Sequence, residues 1–186
     1  MTLEAGIEGT CRAGLVTFRI GGRCFAVPIV LVREINRQLQ MTPVHRAPAS
    51  VRGLVNLRGQ IVTVMDLGRR LGLGPVEIGE KSRMVVLKEN SMLRGDVAAG
   101  LRTAEDSIGF LVDEIADILT PEDRDLESPP PNLDQTDGRH VVAVCKTEES
   151  IVSVLNPAAI IRSEIQGPPA VCVARPDASP VSSGGE

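Results

Sequence analysis

Val51-Arg52-Gly53-Leu54-Val55-Asn56-Leu57-Arg58-Gly59-Gln60-Ile61-Val62-Thr63-Val64-Met65-Asp66-Leu67 is the most specific stretch of this chain. Two apolar runs flank Asn56–Gln60, which predicts a strand, a turn at Arg58-Gly59 and a second strand. Gly59 supplies the positive φ that such a turn needs. Asp66 stands where it caps a short helix over Leu67–Leu71, with Gly72 or Gly74 ending that helix. Gly53 and Gly59 do not form a phosphate loop, because no Gly-Lys followed by Ser or Thr comes after them.

The same style extends in both directions. Upstream, Leu15–Ile20 and Arg23–Val27 are short apolar segments joined by Gly21-Gly22, a hairpin signal. Pro28 is expected to open a short helix that carries Ile29, Val32 and Ile35 on one face. Met41–Ala47 reads as a strand, with Pro43 marking an edge or a strand start. Downstream, Met84–Lys88, Ile108–Val112, Val141–Cys145 and Ile151–Leu155 are strand candidates, and Lys146–Ser150 is the loop joining the last two. Asn156-Pro157 opens a helix over Ala158–Ile165. Asn90–Asp106 and the proline-containing Leu126–Arg139 read as loose. Many short strands with frequent turns indicate an all-β fold with a few short helices.

Composition narrows the function. The 186 residues suit one domain or two small subdomains sharing a core. Three Phe and no Tyr or Trp make that core aliphatic. A net charge of −4 without a basic stripe leaves nothing to track phosphates, so nucleic acid is not an expected partner. No apolar run approaches the roughly 20 residues of a membrane helix. Met1–Arg12 lacks the pattern of a signal peptide, so a cytoplasmic protein without direct membrane insertion is expected. Cys11, Cys24, Cys145 and Cys172 are scattered without a CxxC pair, indicating neither a disulfide framework nor a metal site. His45 and His140 lack a partnered nucleophile motif and read as surface residues. Asp134 and Asp137 do not have calcium-loop spacing. No catalytic residue and no cofactor are expected.

The central segment resembles the core motif of CheW-like domains, the coupling proteins of bacterial chemosensory arrays. Phe25–Ile35 looks like that family's entry, Ile108–Ile115 like its second-barrel strand, and Ile151–Pro157 like its closing strand and helix. The resemblance covers about residues 15–165. It implies two small five-stranded β-barrels, similar to Src-homology-3 domains, side by side with a groove between them. On this expectation residues 1–13 are a flexible N-terminus and 14–166 the domain, with an insertion at about 90–106. Residues 167–186 are a disordered tail.

The resemblance also implies a non-enzymatic adaptor. Its partners would be the cytoplasmic tip of a methyl-accepting chemoreceptor and the regulatory domain of a CheA-type histidine kinase. The receptor or kinase interface is assigned to Arg58, Glu34, Val32, Gly53, Ile61 and Val112. Arg58 offers a planar fork for a carboxylate, either Glu34 in the chain or an acidic residue of the receptor; its plain alternative is a solvated turn residue. On pattern alone Val32, Ile61 and Val112 are more often core than interface, and the resemblance places Val32 near the receptor-facing groove. Two alternatives stay open: a scaffold of a non-flagellar pathway controlling pili, biofilm or a second messenger, and a kinase-binding regulator that does not contact receptors.

Overall fold

A computed structural model describes residues 10–93, 103–122, 125–129, 140–147 and 150–165. The chain alternates strands with tight turns, as its β-branched runs dictate. The strands are β1 (Leu15–Ile20), β2 (Arg23–Pro28), β3 (Val32–Asn36), β4 (Val51–Leu57), β5 (Gln60–Asp66), β6 (Arg83–Leu87), β7 (Ile108–Val112), β8 (Glu114–Leu119), β9 (Leu126–Glu127), β10 (Val141–Lys146) and β11 (Ile151–Leu155). Short helices accompany them, among them α1 (Leu67–Arg70) after β5 and α2 (Pro157–Ile165) after β11.

The strands build two sheets. One has six strands in the order β8-β1-β2-β11-β10-β9, and the other five in the order β3-β6-β7-β5-β4. The middle of the chain makes the second sheet, and both ends make the first. Parallel pairing of β2 with β11 and of β5 with β7 ties distant segments together. The fold is all-β with short helices, as expected. The two expected Src-homology-3-like units are a six-stranded and a five-stranded sheet, neither of them a closed barrel.

One apolar cluster spans both sheets. It takes Val16, Phe18 and Ile20 from β1, Val64 from β5, Val85 from β6, Leu111 and Val112 from β7, and Ile160 from α2. Phe18 and Phe25 stack with ring centroids 6.5 Å apart, and the Arg23 guanidinium lies 5.4 Å from the Phe25 centroid. A smaller cluster joins Cys11, Leu15, Ala26, Ala143, Cys145 and Val154. Thr10 and Cys11 are buried; residues 1–9 of the expected flexible N-terminus lie outside the described residues. Cys24 and Cys145 carry thiols and form no disulfide. Burial first, and the Asp125 carboxylate second, push the Cys145 thiol up, which keeps it protonated and inert.

Several local expectations change. Pro28 keeps an extended ψ of 130° and ends β2, and a single 3-10 turn at Ile29–Leu31 replaces the helix. Val32 and Ile35 lie in β3, because the β-branched run continues better as a strand than as a helix. Met41–Ala47 is not a strand. Only Thr42 bridges Leu54, and Pro43 has no N–H with which to extend the ladder. β8 was not foreseen; as an edge strand exposed along much of its length it lacks a readable alternation. Leu126–Glu127 forms the short edge β9 within the stretch read as loose. His140 is buried rather than on the surface. The expected tail, residues 167–186, lies outside the described residues, as do 94–102 of the insertion.

Asp66 does more than cap a helix. Its side chain is fully buried, and Oδ1 accepts from the Arg69 N–H at 3.0 Å. The Val76 N–H reaches both oxygens at 3.2 Å. Arg52 Nη1 and Arg69 Nε lie 3.5 and 3.7 Å from Oδ2. One carboxylate thus holds β4, α1 and the loop beyond α1. Asp66→Ala removes the cap and leaves buried donors unpaired, so urea unfolding is expected to show a loss of about 3 kcal/mol. A loss below about 1 kcal/mol would mean that surface solvation already satisfies those donors.

Candidate protein-binding surface

The β4–β5 turn is built as the central segment dictates. Leu57 pairs with Gln60, leaving Arg58 and Gly59 as the two turn residues. Their φ values are 55° and 89°, the left-handed pair that a two-residue hairpin requires. Asn56 Oδ1 accepts from the Gly59 N–H at 2.8 Å and fixes the turn from inside. An arginine in this conformation costs about 1 kcal/mol relative to glycine. Its side chain is 89% exposed, so little of that cost returns through packing.

Beneath Arg58 lies a polar cluster. Arg33 Nη1 donates to Gln60 Oε1 at 2.8 Å and to Ser107 Oγ at 3.1 Å. Gln60 Nε2 donates to Ser107 Oγ at 2.9 Å and to Glu89 Oε1 at 2.6 Å. Ser107 Oγ in turn donates to Glu89 Oε1 at 2.6 Å. Glu34 sits at the rim. Its Oε1 accepts from Arg33 Nη2 at 3.2 Å, and its Oε2 lies 3.9 Å from Arg58 Nη2. Glu34 is therefore held mainly by its neighbour Arg33. The Arg58–Glu34 contact is long and exposed, and such pairs contribute only ~0–1 kcal/mol.

β3 and β4 are the opposite edges of the five-stranded sheet, yet side chains of β3 meet the β4–β5 turn. The polar cluster draws these edges together at one end of the sheet and leaves an open depression of about 340 Å³. Arg33, Glu34, Leu57, Arg58, Gln60 and Met92 line it. A second depression, of about 480 Å³, lies where the sheets meet, lined by Ile20, Gly21, Leu73, Pro75 and Asp113 among others. None of the six residues assigned from sequence lines this second depression.

Of those six, only Arg58 and Glu34 come together. Ile61 is 55% exposed, opposite Asn56 on the β4–β5 hairpin, and does not line the Arg58 depression. Val32 is half-buried against the main core and pairs with Leu87. Val112 is wholly buried in that core and forms no part of any surface. Gly53 is buried under the Met41–Thr42 segment, so its role is packing and not contact with a partner. Arg33, Gln60, Glu89, Ser107 and Met92 escaped the sequence reading. Contacts such as Arg33–Ser107 join positions 74 apart and follow no period. Among the described residues no group of His, Cys, Asp or Glu is arranged to hold a metal ion, and no described helix is long and apolar enough to cross a membrane.

Comparison with known proteins gives this architecture its family. The sequence profile of the CheW-like domain matches residues 14–165. The chemotaxis protein CheW of Rhizobium meliloti is 35% identical over 116 residues, covering 62% of this chain and 66% of that protein. The probable chemotaxis protein CheW of Rhizobium etli is 32% identical over 135 residues, covering 71% of this chain and 78% of its own. A solved scaffolding protein, the CheW of Thermoanaerobacter tengcongensis, shares the fold with a TM-score of 0.66 at 22% identity, covering 80% of this chain and 86% of its own. This chain belongs to the CheW-like domain family. It is a chemotaxis scaffold of the non-enzymatic adaptor class.

Gly53 gives the sharpest test of this geometry. A Cβ there would lie 2.6 Å from the Thr42 carbonyl oxygen and 3.1 Å from Met41 Cβ. Gly53→Ala must push the Met41–Thr42 segment away and break its bridge to Leu54. A loss of about 2 kcal/mol is expected in urea unfolding, with faster hydrogen exchange at the Thr42 and Leu54 amides. Unchanged stability and exchange would show that the segment moves freely.

Proposed function

We propose that this chain couples the cytoplasmic tip of a methyl-accepting chemoreceptor to the regulatory domain of a CheA-type histidine kinase. It works in the cytoplasm and is held at the inner face of the membrane through receptor arrays. The receptor docks at the depression under Arg58. The observation that carries this assignment is Arg58 itself, an almost fully exposed guanidinium held at positive φ over a fixed polar cluster. Its fork faces solvent with one long contact to Glu34, which leaves donors for a carboxylate on the receptor helix. Family membership and the relatives named as chemotaxis proteins support the partner class.

Coupling is geometric. The adaptor bridges receptor and kinase, and a receptor movement changes kinase output only if contacts differ between the two signalling states. A polar cluster anchored on β3, β5 and the ends of β6 and β7 gives the docking face the stiffness to transmit such a movement.

Arg58→Glu tests the assignment. The side chain is exposed, so thermal melts should stay within about 1 kcal/mol of wild type. Reversed charge at a receptor contact opposes a carboxylate and can cost several kcal/mol. Co-sedimentation with receptor tip and kinase should lose the ternary complex and kinase control. A ternary complex that survives intact would place the receptor face elsewhere. A kinase complex lost while receptor binding holds would assign this face to the kinase, and a wild-type chain that binds the kinase but not the receptor tip would favour the regulator that does not contact receptors.

A further inference from the structure

We infer that the turn Asn90–Met92, which follows β6, forms a second wall of the docking face, with Met92 as a specificity-determining contact for the partner bound over Arg58. The inference rests on the receptor reading above and deepens it. Met92 is 41% exposed and lines the same depression as Arg58 and Leu57. An exposed methionine beside an exposed guanidinium forms a mixed surface, apolar and polarisable on one side and cationic on the other.

The position of Met92 is tied to the polar cluster under Arg58. Glu89, which accepts from Gln60 and Ser107, opens the single 3-10 turn Asn90–Met92. The Met92 N–H donates to the Glu89 carbonyl at 2.9 Å. Asn90 then clamps the returning chain ahead of β7. Its N–H donates to the Ala104 carbonyl at 2.9 Å, its Oδ1 accepts from the Thr103 N–H at 2.9 Å, and its Nδ2 donates to Glu105 Oε1 at 2.9 Å. Thr103 Oγ1 also donates to the Lys88 carbonyl. The base of this segment is thus bonded on both sides, and Met92 is presented from a fixed turn.

The occupant follows from the charges. Arg33 is committed to Gln60, Ser107 and Glu34, whereas the Arg58 fork remains open. The matching ligand is a receptor helix with a carboxylate for Arg58 and an apolar side chain three or four residues away for Met92. Residues at that spacing share one helix face, roughly 5–6 Å apart. Variation at Met92 changes which apolar residue fits and leaves the Arg58 contact in place.

The test measures binding of the soluble receptor-tip fragment and of the kinase regulatory domain separately, for wild type, Met92→Glu, Met92→Leu and Arg58→Glu. Met92→Glu is expected to weaken receptor-tip binding at least tenfold, to leave kinase binding unchanged and to melt within a few degrees of wild type. Met92→Leu is expected to bind within a few-fold of wild type. If Met92→Glu binds the tip normally while Arg58→Glu does not, the second wall is wrong and the receptor reading stands. If both bind the tip normally, both fail. If Met92→Glu loses the kinase domain and keeps the tip, the surface belongs to the kinase and the inference is overturned.

Discussion

Ser107 Oγ donates to Glu89 at 2.6 Å and accepts from both Arg33 and Gln60. The working end of this protein depends on that cluster. A five-stranded sheet has two unpaired edges, and no ladder joins β3 to β4. Side-chain bonds from β3 to β5 draw those edges together at one end. They set the height of the β4–β5 turn, the seat of Glu34 and the start of the turn that carries Met92. Because several of these groups are charged and partly buried, removing one partner strands the others, which makes the cluster stiff and not merely adhesive.

The molecule separates holding from displaying. Asp66 and Val112 are buried and serve the fold, as Gly53 does by its closeness to Thr42. Arg58, Met92 and Ile61 remain largely exposed and contribute little to the core. Sharing one apolar cluster between the two sheets joins them through packing. The Arg70 Nε bond to the Ile160 carbonyl at 3.0 Å adds a polar tie between α1 and α2. A partner on the five-stranded sheet therefore rests on a body connected to the six-stranded one, as a geometric coupler requires.

Much of this was legible in the chain. Val51–Leu67 gave its strands, its turn and the Asp66 cap, because period, turn chemistry and capping are local. Gly21-Gly22 and Asn156-Pro157 behaved as their residue types require, with φ of 56° and 77° in the turn and an Asn156 Oδ1 cap on Ala159. The Val32–Asn36 strand was misread because Pro28 suits a helix start as well as a strand end, and only pairing with β6 decides between them. β8 was missed because Ile115 and Leu119 are only partly buried while Ile118 is exposed, which leaves no clean alternation to read. The candidate site was half legible. Arg58 and Glu34 come from the motif, but Gln60, Glu89 and Ser107 meet only through long-range topology. Val112 is wholly buried, and an apolar strand residue does not reveal from sequence whether it faces the core or a partner.

We propose that the partly buried polar cluster holds the display of Arg58 in place. It is tested most directly by hydrogen exchange of the Val32–Asn36 and Leu57–Ile61 amides in wild type and Gln60→Ala, with receptor-tip affinity measured on the same samples. Faster exchange in both segments and weaker receptor binding are expected, with kinase binding unchanged and a melting temperature only a few degrees lower, since about 1 kcal/mol shifts a domain of this size by roughly 2–4 °C. Unchanged exchange in Val32–Asn36 together with full receptor affinity would contradict the claim.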